Sequence, residues 1–109
     1  MGWELRVERR WDETVCGRVR ELYSNEDFSL AEVVVDGEGE EHYHERTLEV
    51  YYVLEGRGRV HVNGRPVDVR PGDVIVLEPG VRHKVEGKLR LLVACSPPFD
   101  PDDVHVEEG

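Results

Sequence analysis

The chain has 109 residues, a length that suits one domain built round a modest core. Lys and Arg number 14 against 24 Asp and Glu, a formal net charge of −10, which disfavours nucleic acid and anionic membranes as partners. Hydrophobic residues at 39 % and charged residues at 35 % fit a soluble globular chain rather than a disordered one, and no apolar run approaches the roughly 20 residues of a membrane-spanning helix.

MGWELRVERR has no apolar stretch of the signal-peptide kind, and neither Cys16 nor Cys95 sits in a C-x-x-C. Both features lead to the expectation of a cytoplasmic protein with two reduced thiols, a Cys16–Cys95 disulfide being the alternative. Trp3, Leu5 and Val7 alternate with Glu4, Arg6 and Glu8, the period-2 pattern of a strand. GRVRELY continues as a weaker strand, so residues 3–23 read as N-terminal strands. SNEDF is a turn, and FSLAEVVV (28–35) is a β-branched strand. The polar loop DGEGE leads to His42 and His44, and LEVYYVLEG (48–56) is the strongest strand in the chain.

GRGRVHVNGRPVDVRPGD reads as a hairpin, because Asn63-Gly64 suits a two-residue type I′ turn in which both residues need positive φ. That turn sets Val62 opposite Arg65 and Val60 opposite Val67. Val60, Val62, Val67 and Val69 then share one face; Arg59, His61, Asp68 and Arg70 share the other. PGD turns into VIVLE, EPG turns again, and VRHKVEG and KLRLLVACS read as the last two strands. The tail, 97–109, is expected to be extended, with Phe99 pinning it down. No helical periodicity outlasts a turn or two. The expected fold is therefore all-β, a sandwich or small barrel, in a single domain spanning 1–109.

On a strand, residues i and i+2 point the same way, so His42 and His44 can converge on one point while Tyr43 points away. Glu49 opens the next strand, and His83 follows a Gly/Pro turn. Two imidazoles, a carboxylate and a third imidazole form a candidate metal site on this geometry; a chance pair of surface histidines is the competing reading.

Here the chain resembles the cupins. Their first motif has the form G-x5-H-x-H-x(3,4)-E-x6-G, matched by His42-Tyr43-His44, four residues, Glu49, six residues and Gly56. Their second, G-x5-P-x-G-x2-H-x3-N, is matched by Gly72, Gly80 and His83. The resemblance covers about 28–96. It departs in three places: the first glycine is displaced to Gly37 or Gly39, Glu78 stands where proline is usual, and Gly87 stands for the last asparagine. It implies a double-stranded β-helix, or jelly-roll barrel, in which His42, His44, Glu49 and His83 hold one divalent metal. Iron, manganese, zinc, nickel and copper all suit that set.

The resemblance also implies open coordination positions and a small polar ligand. The leading expectation is a metalloenzyme of dioxygenase or sugar/carbonyl isomerase-epimerase type, with Tyr51 and Glu78 as candidate acid–base residues. The alternatives are a metal-dependent binding protein without turnover and a barrel that metal merely stabilises. A homodimer is expected, its Trp3–Val7 strand adding to the partner's sheet. Trp3 and Trp11 are assigned to packing or that interface. Glu40, Glu41, Glu45, His61 and His105 are expected at the surface. Cys95 shares a face with Leu91 and Val93 and is expected in the core. Asp100, Asp102 and Asp103 lack the spacing of a calcium loop.

Overall fold

The computed structural model describes residues 2–106. Among them are seven strands: β1 (Asp12–Thr14), β2 (Gly17–Ser24), β3 (Ser29–Glu38), β4 (Leu48–Val62), β5 (Arg65–Val69), β6 (Val74–Leu77) and β7 (His83–Ser96). One 3-10 turn follows at Pro101–Asp103, and no α-helix occurs among the described residues. The expected all-β architecture is thus present. All ladders are antiparallel, in the order β1-β2-β3-β7-β4-β5, with β6 paired to β4.

The last strand is the central one. β7 pairs with β3 from Ser29↔Cys95 to Glu38↔Glu86, and with β4 from Leu48↔Ser96 to Val62↔His83. The far side of β4 carries β6 along Glu49–Tyr52 and β5 along Gly58–Val62. Strand alternation sends Val33, Val35, Tyr51, Val53, Leu89, Leu91, Val93 and Cys95 inward, where they form the core with Val60, Val69, Leu77 and Val85. On β4 the inward set changes parity, from 49, 51 and 53 to 60. A bulge between Val53 and Glu55 accounts for it: one extra residue flips every later side chain to the other face.

Beside the bulge the strands come too close for side chains. A Cβ on Gly56 would lie 1.9 Å from the Lys88 carbonyl oxygen, and its φ of +99° already favours glycine. The Asn63-Gly64 turn has φ of +50° and +82° and gives the pairs Val62↔Arg65 and Val60↔Val67, as its sequence predicts.

Three expectations are corrected. Residues 3–7 form no strand: no ladder among the described residues takes them up, and Trp3, Leu5 and Val7 are 85 %, 83 % and 60 % exposed. An alternating pattern makes a strand only where there is an edge to pair with and a face to bury. VRHKVEG and KLRLLVACS are one strand, because Gly87, at φ +118°, lets β7 continue past Arg57 and Gly58 of β4. The tail is not simply extended: it forms the 3-10 turn and buries Asp103 to 1 % exposure. The end of the expected tail, 107–109, lies outside the described residues.

Candidate metal centre

After β3 the chain stays beside β7. Gly39 donates its N–H to the Val85 carbonyl at 2.8 Å, and His42 and His83 exchange both backbone hydrogen bonds at 2.9 Å. This pairing brings His42 and His44 alongside His83, while Glu49 enters from the start of β4's ladder with β7. All four residues are buried, from 1 % exposure for His83 to 7 % for His44.

The geometry dictates the tautomers. Nδ1 of His42 lies 2.9 Å from the Glu40 carbonyl, Nδ1 of His83 lies 2.9 Å from that of Val81, and Nδ1 of His44 lies 2.9 Å from that of Asp103. A carbonyl oxygen only accepts, so each Nδ1 carries the proton and each Nε2 presents a lone pair. One ring nitrogen from each histidine lies within 4.8 Å of the other two. Glu49 Oε1 is 3.0 Å from His83 Nε2 and 3.6 Å from His44 Nε2. These three atoms, buried and without a hydrogen-bond partner, are acceptors facing acceptors. Such a cluster can hold a cation between its members, and the donor set of three imidazoles and a carboxylate fits a divalent metal.

Charge states agree. Burial, then the neighbouring His83, lowers His42 to about 4, so its ring is neutral and ready to ligate. Burial alone would raise Glu49, but the His44 and His83 rings beside it hold it well below the carboxylate range. His44 is drawn upward against its burial by Glu49 and by the Asp103 carbonyl.

A cavity of about 200 Å³ opens on this cluster. His42, His44, Glu49 and Tyr51 line one side; Val33, Val85, Leu91 and Val93 supply an apolar wall; Val19 of β2 and Phe99 of the tail belong to the same lining. No Lys or Arg is among the described lining residues. Tyr51 is 2 % exposed with its ring edge-on to His83. Burial and the adjacent Glu49 push its phenol well above 10, so it stays a neutral hydrogen-bond donor. Glu78 is exposed on the turn after β6 and is not among the described residues lining the cavity; its carbonyl accepts the Val81 N–H at 3.1 Å.

Both cysteines are free and both line the cavity. Cys16 Sγ lies 3.4 Å from His42 Nε2 and donates to it; burial, then Glu49, raises this thiol to about 12. Cys95 Sγ donates to Glu49 Oε2 at 3.6 Å. Alternation with Leu91 and Val93 placed Cys95 in the core, but Cys16 carried no signal because the packing of β1 and β2 over the site is tertiary. His61, expected at the surface, is half-buried with Nε2 2.9 Å from Glu86. His105, also expected at the surface, stacks on Tyr43 at 5.1 Å and reaches Asp103 at 3.1 Å. Asp103 itself was missed, and Pro101 after Asp100 was the one sign of a turn there.

Known proteins resemble this chain in sequence and in fold. An uncharacterized protein of Methanocaldococcus jannaschii is 32 % identical over 93 residues, covering 80 % of this chain and 74 % of that protein. An oxalate-binding protein of Thermotoga maritima is 42 % identical over 45 residues, covering 41 % of this chain and 37 % of its own length. Among solved structures, a variant of the Streptomyces nucleoside dehydratase PAC13, solved with uridine, superposes with a TM-score of 0.87 at 18 % identity, over 96 % of this chain and 90 % of that one; at this identity the likeness is one of fold. The cupin-domain family model matches residues 29–95, which hold every proposed metal ligand, and the chain belongs to the cupin family.

Proposed function

We propose that this cupin holds one divalent metal through His42, His44, Glu49 and His83 and uses it to activate a small molecule in the cavity. The observation that carries this reading is the set of buried, unpartnered acceptor atoms of His44, Glu49 and His83 aimed at one point. When bound, the metal supplies Lewis-acid polarisation of a ligand oxygen, with coordination positions left over from four protein ligands. The protein's part is to orient that ligand. The cavity has the room of about seven waters at about 30 Å³ each. Its walls would favour a molecule the size of a short keto or hydroxy acid, with its oxygens turned toward the histidine cluster and its carbon body against Val33, Leu91 and Val93. Tyr51 stands beside Glu49 as a neutral donor to a ligand oxygen. Dioxygenase and isomerase-epimerase chemistry both start from such a complex. The position of Glu78 gives it no support as an acid–base group.

Metal analysis of protein purified without a His-tag or chelator tests this reading, beside His83→Ala. About one equivalent, lost in the variant, is expected; no metal after reconstitution with Fe(II), Mn(II) or Zn(II) would sink it. The second reading, binding without turnover, is favoured by the oxalate-binding relative. Oxalate and short 2-oxo and 2-hydroxy acids separate the two: binding to loaded protein with no product after prolonged incubation selects the second. We also propose a homodimer, because Trp3, Leu5, Val7, Tyr52, Val74 and Val76 are all exposed and the last three share the outer face of β4 and β6.

A further inference from the structure

The three histidines are not held alike. His42 and His83 each donate Nδ1–H to a carbonyl two residues upstream, so the local backbone fixes both rings. His44 donates to the carbonyl of Asp103, 59 residues away. That carbonyl belongs to the segment 97–106, which lies beyond the family match. The segment is tied to the site at several points. The Asp103 carboxylate accepts the N–H groups of Glu45 and Arg46, both at 3.0 Å, through separate oxygens, and His105 Nε2 lies 3.1 Å from the first. Tyr43 and His105 exchange backbone hydrogen bonds at 3.0 Å. Phe99 donates its N–H to Ser29 Oγ at 2.9 Å, and its ring stands edge-on to His44. Phe99 and Val104 line the cavity.

We infer that the C-terminal segment is a working part of the metal centre and that Asp103 is its positioning residue, acting through His44. This rests on the metal-centre reading above. A carboxylate clasping the two N–H groups that follow His44 fixes the backbone on one side of the ring, while the carbonyl of the same residue fixes the ring's tautomer on the other. Groups of this kind, one step out from the metal, orient the ligand and raise its basicity. Both carboxylate oxygens already accept backbone N–H groups in this clasp, so Glu45, Asp103 and His105 are read as a bracket rather than a second cation site.

The test is Co(II) titration of the full chain, followed by visible absorption, for wild type, Asp103→Ala, Asp103→Asn and Glu32→Gln. Asp103→Ala is expected to weaken Co(II) binding about 10- to 100-fold and to change the spectrum of the bound ion. Asp103→Asn keeps an acceptor for one N–H and is expected in between; it carries the test if the alanine variant does not fold. Glu32→Gln weakens the sheet away from the segment and is expected to leave affinity within twofold. Histidine-ring ¹H–¹⁵N spectra of the metal-free protein are expected to show His44 alone losing its Nδ1–H tautomer in the Asp103 variants. Affinity within twofold of wild type in both Asp103 variants would overturn the inference, as would an equal loss in Glu32→Gln. Wild-type protein that binds no Co(II) would instead remove the metal centre itself.

Discussion

The two ends of the chain make an instructive pair. Both run outside the family match, and neither forms a long strand. The N-terminal segment looks more like structure in sequence, with Trp3, Leu5 and Val7 in alternation, yet all three side chains face solvent. Its few ties are at the surface: Arg6 over the Tyr23 ring at 5.0 Å and Arg20 to the Glu8 carbonyl at 3.0 Å. The C-terminal segment looks like a charged tail, yet it buries Asp103 and reaches His44. Apolar content does not decide which end docks. What decides is whether the segment's polar groups find unsatisfied partners in the fold, and the N–H groups of Glu45 and Arg46 are such partners.

The largest effect that would sharpen this contrast is at the centre the C-terminal segment reaches. His83→Ala is expected to lower metal affinity at least about 100-fold, more than loss of a supporting partner does; equilibrium dialysis against Zn(II) measures it, and retention of a full equivalent would contradict the ligand assignment. Next comes the bracket. Asp103→Ala strands two backbone N–H groups and is expected to cost the metal-free protein about 2–4 kcal/mol in urea unfolding. Removal of residues 2–8 is expected to cost the monomer no more than about 0.5 kcal/mol by the same method. Native mass measurement of that truncation breaks the comparison differently: a dimer that becomes monomeric would show that the N-terminal segment docks on a second copy rather than on its own sheet.

The smallest effect depends on pH and involves neither end. Glu32 is 8 % exposed on the outer face and is bound by Arg20 and Arg90. Burial raises its pKa, but the two guanidinium groups outweigh burial and leave it below 4.5. A depressed folded-state pKa contributes stability above the unfolded value that is lost as pH falls through the folded one. Wild type is therefore expected to lose a margin of about 1–2 kcal/mol over Glu32→Gln between neutral pH and about pH 3, read by thermal melts. An equal gap at both pH values would assign the effect to packing.

Much of the centre was legible because its determinants are local. The i, i+2 rule and the cupin spacing put His42, His44, Glu49 and His83 in one place, and Asn63-Gly64 fixed a hairpin register that the fold adopts. What was not legible is what depends on partners far along the chain. The bulge at Val53/Glu55 follows from the close passage of Gly56 and Lys88. β7 runs unbroken because β3 and β4 both pair with it. Asp103 read as one of three tail carboxylates because its worth lies in two N–H groups 57 and 58 residues upstream.

The central position of β7 has a consequence for how the protein is made. β3 and β4 both take their inner neighbour from β7, so neither has it until the chain has been made through that strand. Until then Val33, Val35, Tyr51 and Val53 lie on strands with open edges. Contacts this distant in sequence make folding slow and leave the nascent chain exposed to pairing with other chains. The barrel cannot close until this strand lies between the two edges, and the backbone pairing of His42 with His83 depends on the same strand.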